Sequence, residues 1–158
     1  MIANCNLEYL DGLLDQAVFV YTRRRPFYNV QSLLGARRKY SGNLEDWYSF
    51  RPPEYPQLRQ LDPYRQVAGQ IHFLNRAIEA ALDRIPEERQ LRVQYEDFCA
   101  APDRVYQRLR ACCQAQGYEM AADYVGPGEF AVTDRVLVND EEARRIHDAI
   151  DHFSAEAH

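Results

Sequence analysis

The chain has 158 residues, 46% hydrophobic and 27% charged, and its 19 basic and 24 acidic side chains leave a formal charge of −5. That composition excludes a disordered or fibrous protein, and the length suits one domain able to bury roughly 68–70% of its unfolded surface without a metal or disulfide staple. The net acidity argues against general nucleic-acid binding, although an acidic protein still has room for a local anion site. No apolar run approaches the ~20 residues of a membrane span, and the first ten residues show no basic stretch followed by an apolar one, so no membrane span and a cytoplasmic location are expected. Cys5, Cys99, Cys112 and Cys113 lack C-x-x-C spacing. They read as buried or idle thiols, with no metal site.

Leu7, Leu10, Leu13 and Leu14 recur at helical spacing, which predicts a short helix over residues 7–14. Residues 17–22 (AVFVYT) form a near-continuous β-branched and aromatic run, suited to a strand buried on both faces of a parallel sheet. Three arginines follow, and then Pro26 opens a helix with an apolar stripe on Phe27, Val30, Leu33 and Leu34. Residues 40–62, with Trp47, Tyr48, Phe50 and Tyr55, have no assignable period and read as a long aromatic loop.

From Tyr64 to Arg84 the apolar positions step by four and three through Val67, Ile71, Leu74, Ile78, Ala81 and Ile85, and Pro86 closes the helix. Residues 90–95 (QLRVQY) predict a second strand, followed by the acidic pair Glu96 and Asp97. Pro102 starts a helix on Val105, Leu109 and Cys112 that Gly117 ends. A last helix starts at Asn139, with Glu142 completing a capping box and Ala143, Ile146, Ile150 and Phe153 on one face. Strands alternating with helices predict an α/β fold, with residues 1–158 as one domain.

The densest chemical signal is Arg23-Arg24-Arg25-Pro26, set between the C-terminal end of a strand and a helix start. Ligands of open α/β sheets bind at such strand ends, and arginine adds a planar donor fork matched to phosphate oxygens. Ser32 follows Pro26 by six residues and offers a hydroxyl. A phosphate grip and a solvated basic turn explain this segment equally well. The run Arg37-Arg38-Lys39 reads as helix C-terminal stabilisation, and Glu96 and Asp97 as helix first-turn acids. Trp47, Tyr48, Phe50 and Tyr55 fit an acceptor pocket or a cluster that packs the loop down. His72 reads as a packing residue and His147, His152 and His158 as solvent-facing. No residue is assigned as catalytic base.

In FVYTRRRPFYNVQSLL, with Arg24 two residues before Pro26 and Ser32 six residues after it, the sequence resembles the sulfotransferases that use 3′-phosphoadenosine 5′-phosphosulfate (PAPS). The resemblance continues through a long helix, a strand ending in RVQYEDF and a helix begun by Pro102, over roughly residues 4–117, with an echo in FAVTDRVLVNDEE. It implies that Arg24 and Ser32 bind the 3′-phosphate of PAPS, that Tyr95 lies near the adenine, and that Thr133 and Arg135 approach the same phosphate. It also implies a P-loop-like parallel sheet flanked by helices.

The seven glycines, at 12, 35, 42, 69, 117, 126 and 128, include no counterpart of the family's glycine-rich phosphosulfate loop. The chain is therefore expected to be an N-terminally truncated domain, weak or inactive alone, whose exposed sheet edge invites self-association. The resemblance implies sulfuryl transfer to a hydroxyl or amine of a small-molecule, glycan or peptide acceptor. A non-catalytic interaction module and, less well matched, a nucleotide kinase fragment are the rival readings.

Overall fold

The β-branched run after the first helix does form a strand, but a shorter and less covered one than its composition suggests. In the computed structural model, which describes residues 6–155, the elements are α1 (Leu7–Leu13), β1 (Phe19–Arg23), α2 (Pro26–Ser41), α3 (Tyr55–Leu58), α4 (Pro63–Leu82), β2 (Gln90–Gln94), α5 (Tyr95–Ala100), α6 (Pro102–Ala115) and α7 (Asp140–Ala155). The fold is α/β, with one parallel two-stranded sheet among the described residues. The chain divides into two compact units. One holds Arg25–Arg76 with the described part of Asp134–His158, and the other Ala77–Thr133 with the described part of Ile2–Arg24.

The sheet belongs to the second of these units. Phe19 pairs with Gln90 and each following residue keeps step, to Arg23 opposite Gln94. Leu91 and Val93 are buried, as the apolar pattern of β2 requires. In β1 only Tyr21 is buried, while Val20 stays 51% exposed and Thr22 faces solvent. The expectation of a strand buried on both faces is thus corrected. A central parallel strand needs cover on both sides, and among the described residues β1 has one strand neighbour and one fully buried side chain.

Burial pushes the Tyr21 hydroxyl up to about 12, with Arg23 and Arg92 pulling it down and Glu79 adding to the rise. The neutral phenol is therefore favoured in the folded state. Its stabilising share is complete below the ordinary tyrosine value near 10 and is lost as pH climbs towards 12. Tyr21→Phe is expected to flatten the fall of the urea midpoint between pH 10 and 12, and a fall identical to wild type would contradict the assignment.

Two local devices position β2 and the helices beyond it. The buried Gln90 donates from Nε2 to the carbonyls of Leu82 (2.8 Å) and Ile85 (2.6 Å), satisfying helix-end acceptors where α4 stops. At the end of α6, Gly117 takes φ +83°, Tyr118 N–H donates to Cys113 O (2.9 Å) and Gly117 N–H to Gln114 O (2.9 Å). That is a Schellman motif, which demands the left-handed conformation glycine adopts freely. The chain beyond it has no regular element before α7. Tyr106 OH donates to Ala121 O (2.8 Å), Phe130 N–H to Cys99 O (2.8 Å), and the Phe98 and Phe130 rings stack at 5.4 Å.

The other unit packs α2, the N-terminal part of α4 and α7 around Val30, Leu34, Leu58, Val67, Ile146 and Phe153. All but Leu58 belong to the apolar stripes expected from helical spacing; Leu58 ends α3, inside the segment expected to be a loop. Gly69 is required by close approach. A Cβ there would run into the Leu58 side chain and lie 2.7 Å from Phe153 Cζ. Gly69→Ala is expected to destabilise the protein by about 1–3 kcal/mol through overpacking, read as a lower urea midpoint. An unchanged midpoint would mean the core yields freely.

The capping box of α7 is only half made. Asn139 Oδ1 accepts the Glu142 N–H at 2.9 Å, but the Glu142 carboxylate accepts from Tyr64 OH (3.0 Å) and from Arg38 instead of reaching back. Of the residues 37–39 read as helix C-terminal stabilisation, Arg38 and Lys39 do lie in the last turn of α2, whereas Arg37 is fully buried. The aromatic loop is tied down, with Gln70 Nε2 donating to Phe50 O (2.6 Å) and Tyr48 O (3.1 Å).

Candidate cofactor site

The register of the sheet sets the site. Arg23 and Gln94 are partners at the C-terminal ends of β1 and β2, so the next residues, Arg24 and Tyr95, leave the sheet side by side. Tyr95 is accordingly the first residue of α5 rather than the last of a strand, correcting the sequence-based boundary. The Arg24 guanidinium lies 4.9 Å from the centroid of the Tyr95 ring, a cation–π distance. Arg24 Nη2 donates to the main-chain oxygen of Thr133 at 2.9 Å and approaches its hydroxyl at 3.4 Å. Tyr95 OH lies 3.1 Å from the Thr133 hydroxyl and accepts the Thr133 N–H at 3.4 Å. Three residues far apart in sequence thus meet at the carboxyl edge of a parallel sheet, where α/β folds bind ligands.

The three consecutive arginines have different surroundings. Arg23 pairs with Glu79 (3.0 Å), and Arg92 joins the same cluster through Glu79 and Asp83 (2.7 Å each). Arg25 pairs with Asp134 at 3.3 Å. Arg24, between them, turns to the Tyr95 ring and to Thr133.

A sulfotransferase family model matches residues 4–119, which takes in both strands, Arg24 and Tyr95. The chain belongs to the sulfotransferase family. No curated protein and no solved structure matches it. Family membership sets aside the nucleotide kinase reading. The Arg24–Tyr95–Thr133 cluster is the candidate functional site of this sulfotransferase-family chain. Thr133 lies beyond the matched residues, and the signal that pointed to it in sequence is the FAVTDRVLVNDEE echo.

Ser32 is exposed on α2, within the unit that begins at Arg25. Arg135, expected beside Thr133, lies in that unit too, and its carbonyl accepts Gln31 Nε2 at 2.9 Å. His72 packs as expected, 5.1 Å from Phe73 and 5.8 Å from Phe153 between ring centroids. His147 is exposed but stacks on Phe27 at 4.8 Å, and His152 sits edge-on to Phe153 at 4.8 Å. His158 and Cys5 lie outside the described residues. Cys99 is a buried free thiol, and Cys112 and Cys113 are free and half-buried. No cluster of His, Cys, Asp or Glu able to hold a metal ion occurs among the described residues, and no described helix is long and apolar enough to cross a membrane.

Proposed function

We propose that this sulfotransferase-family chain recognises PAPS through Arg24 and Tyr95 and serves sulfuryl transfer to a hydroxyl or amine of a small-molecule, glycan or peptide acceptor. One observation carries the reading: a guanidinium, an aromatic ring and a hydroxyl converge just beyond the paired strand ends. A ribose phosphate asks for a planar cationic fork, and an adenine for a flat apolar surface. Arg24 supplies the first and Tyr95 the second. The Thr133 carbonyl marks the direction in which the Arg24 donors point, and an oxyanion accepts from the same fork.

When bound, PAPS supplies a sulfuryl group on an activated anhydride. The part of this chain's residues is to fix the nucleotide and hold its charge in place, because catalysis of such transfers is mostly positioning and cationic stabilisation. Ser32 remains in the proposal as a 3′-phosphate ligand because the family resemblance, with a serine six residues after Pro26, implies that role. No described residue is assigned as the base that takes the acceptor's proton.

Calorimetric titration with adenosine 3′,5′-bisphosphate tests the reading. Saturable binding is expected, and binding that inorganic sulfate or an ordinary nucleoside triphosphate matches equally would sink it. A second reading, an interaction module without catalysis, draws on the half-open strand β1, whose exposed Val20 suits self-association through the sheet edge. A chain that dimerises and ignores the bisphosphate would favour it.

A further inference from the structure

The unit built on α2, α4 and α7 carries a cleft of about 390 Å³, lined by Glu45, Asp46, Trp47, Arg51, Tyr55 and Arg59. Arg51 and Arg59 lie four residues on either side of Tyr55, and their guanidiniums sit 4.6 and 6.0 Å from the centroid of its ring. No carboxylate lies within ion-pair distance of either among the described residues. The two acids are differently engaged. Glu45 accepts the Leu44 N–H at 3.2 Å, and Asp46 accepts Asn43 Nδ2 at 2.9 Å. The buried Arg37 guanidinium lies behind, 5.0 Å from the Trp47 ring centroid. The lining thus carries two guanidiniums and two carboxylates, formally balanced, with neither arginine ion-paired to an acid among the described residues. Trp47 and Tyr55 meet edge to face at 4.7 Å and form an aromatic wall.

We infer that this cleft binds a small organic oxyanion, a carboxylate, sulfate ester or phosphate ester carried on a ring. The oxyanion sits between Arg51 and Arg59, which offer planar donor forks with no protein acid to satisfy them, and the ring lies against the aromatic wall. The sulfuryl-donor reading is not needed here, since the cleft residues and the Arg24 cluster are separate sets and each has its own assay.

Trp47 is the only tryptophan, so intrinsic fluorescence reports on the cleft directly. The full chain is titrated with benzoate, phenyl sulfate and phenyl phosphate, and with benzyl alcohol and inorganic sulfate as comparisons. At least one of the three ring-bearing anions is expected to give a saturable change, and the tightest identifies the head group. Arg51→Ala and Arg59→Ala are each expected to weaken it about tenfold, the loss of one charge-assisted contact, and Arg59→Glu to abolish it. Both arginines are exposed, so a far-UV spectrum and urea midpoint like wild type are expected of the variants. Three results would overturn the inference: benzyl alcohol binding as tightly as benzoate, either alanine variant titrating like wild type, or no saturable change with any anion.

Discussion

Arg24→Ala is expected to weaken binding of adenosine 3′,5′-bisphosphate by roughly 30-fold or more, measured by calorimetry. A charge-assisted, forked contact to a phosphate contributes on the order of 2–3 kcal/mol when the partner is well placed, and each 1.4 kcal/mol is a factor of ten. Arg24→Lys keeps the charge but loses both the fork and the stacking on Tyr95, and an intermediate loss is expected. Arg23→Ala and Arg25→Ala provide the decisive comparison. Those side chains pair with Glu79 and Asp134, so their removal is expected to change the affinity less than threefold. Equal losses at all three positions would mean a diffuse basic turn attracts the ligand, and the site at the strand ends would have to be abandoned. Raising the salt distinguishes the cases too, because a diffuse attraction is screened far more than a seated contact.

Arg37→Ala is expected to lower stability by about 3 kcal/mol or more. Arg37 Nη1 donates to Gln66 Oε1 at 2.7 Å and to Leu44 O at 3.0 Å, and the side chain has no solvent exposure. Nε and Nη2 have no hydrogen-bond partner among the described residues, and the Trp47 ring lies against the guanidinium. Burial lowers the Arg37 pKa, while the charge of Glu45 raises it. Alanine strands the buried Gln66 acceptor and the part-buried Leu44 carbonyl and leaves a cavity beside Trp47, and both costs act in the same direction. The melting temperature is expected to fall by about 6–12 °C, taking 2–4 °C per kcal/mol for a chain of this size. Arg37→Met fills most of the volume, leaves the Gln66 acceptor stranded and is expected to fall in between. A midpoint within 0.5 kcal/mol of wild type would show that the buried charge contributes nothing net.

The same residue shows where sequence reading stops. Arg37 follows Val30 and Leu34 on the buried stripe of α2, at steps of four and three, yet in the sequence it reads with Arg38 and Lys39 as a basic run that ends the helix. Its partners are a carbonyl in the next loop and an amide on α4, and no local pattern announces a contact of that kind. The cleft arginines differ, because Arg51, Tyr55 and Arg59 at intervals of four were readable as a group. The surrounding segment, however, has no continuous period to mark them.

Local rules set by short stretches of sequence were legible from the residues. Proline opening α2, Gly117 ending α6, Asn139 capping α7 and the three–four spacing of α4 depend on neighbours within one or two turns. The order of elements follows from them, and the family resemblance added Arg24, Ser32 and Tyr95 as candidates. Only the tertiary structure decided that β1 and β2 pair in the register that brings Arg24 beside Tyr95, that Thr133 joins them, and that β1 keeps one face open to solvent. Strand pairing and burial are set by groups dozens of residues away, whose energies depend on what each side chain finds opposite it. Spacing along a single chain carries little of that.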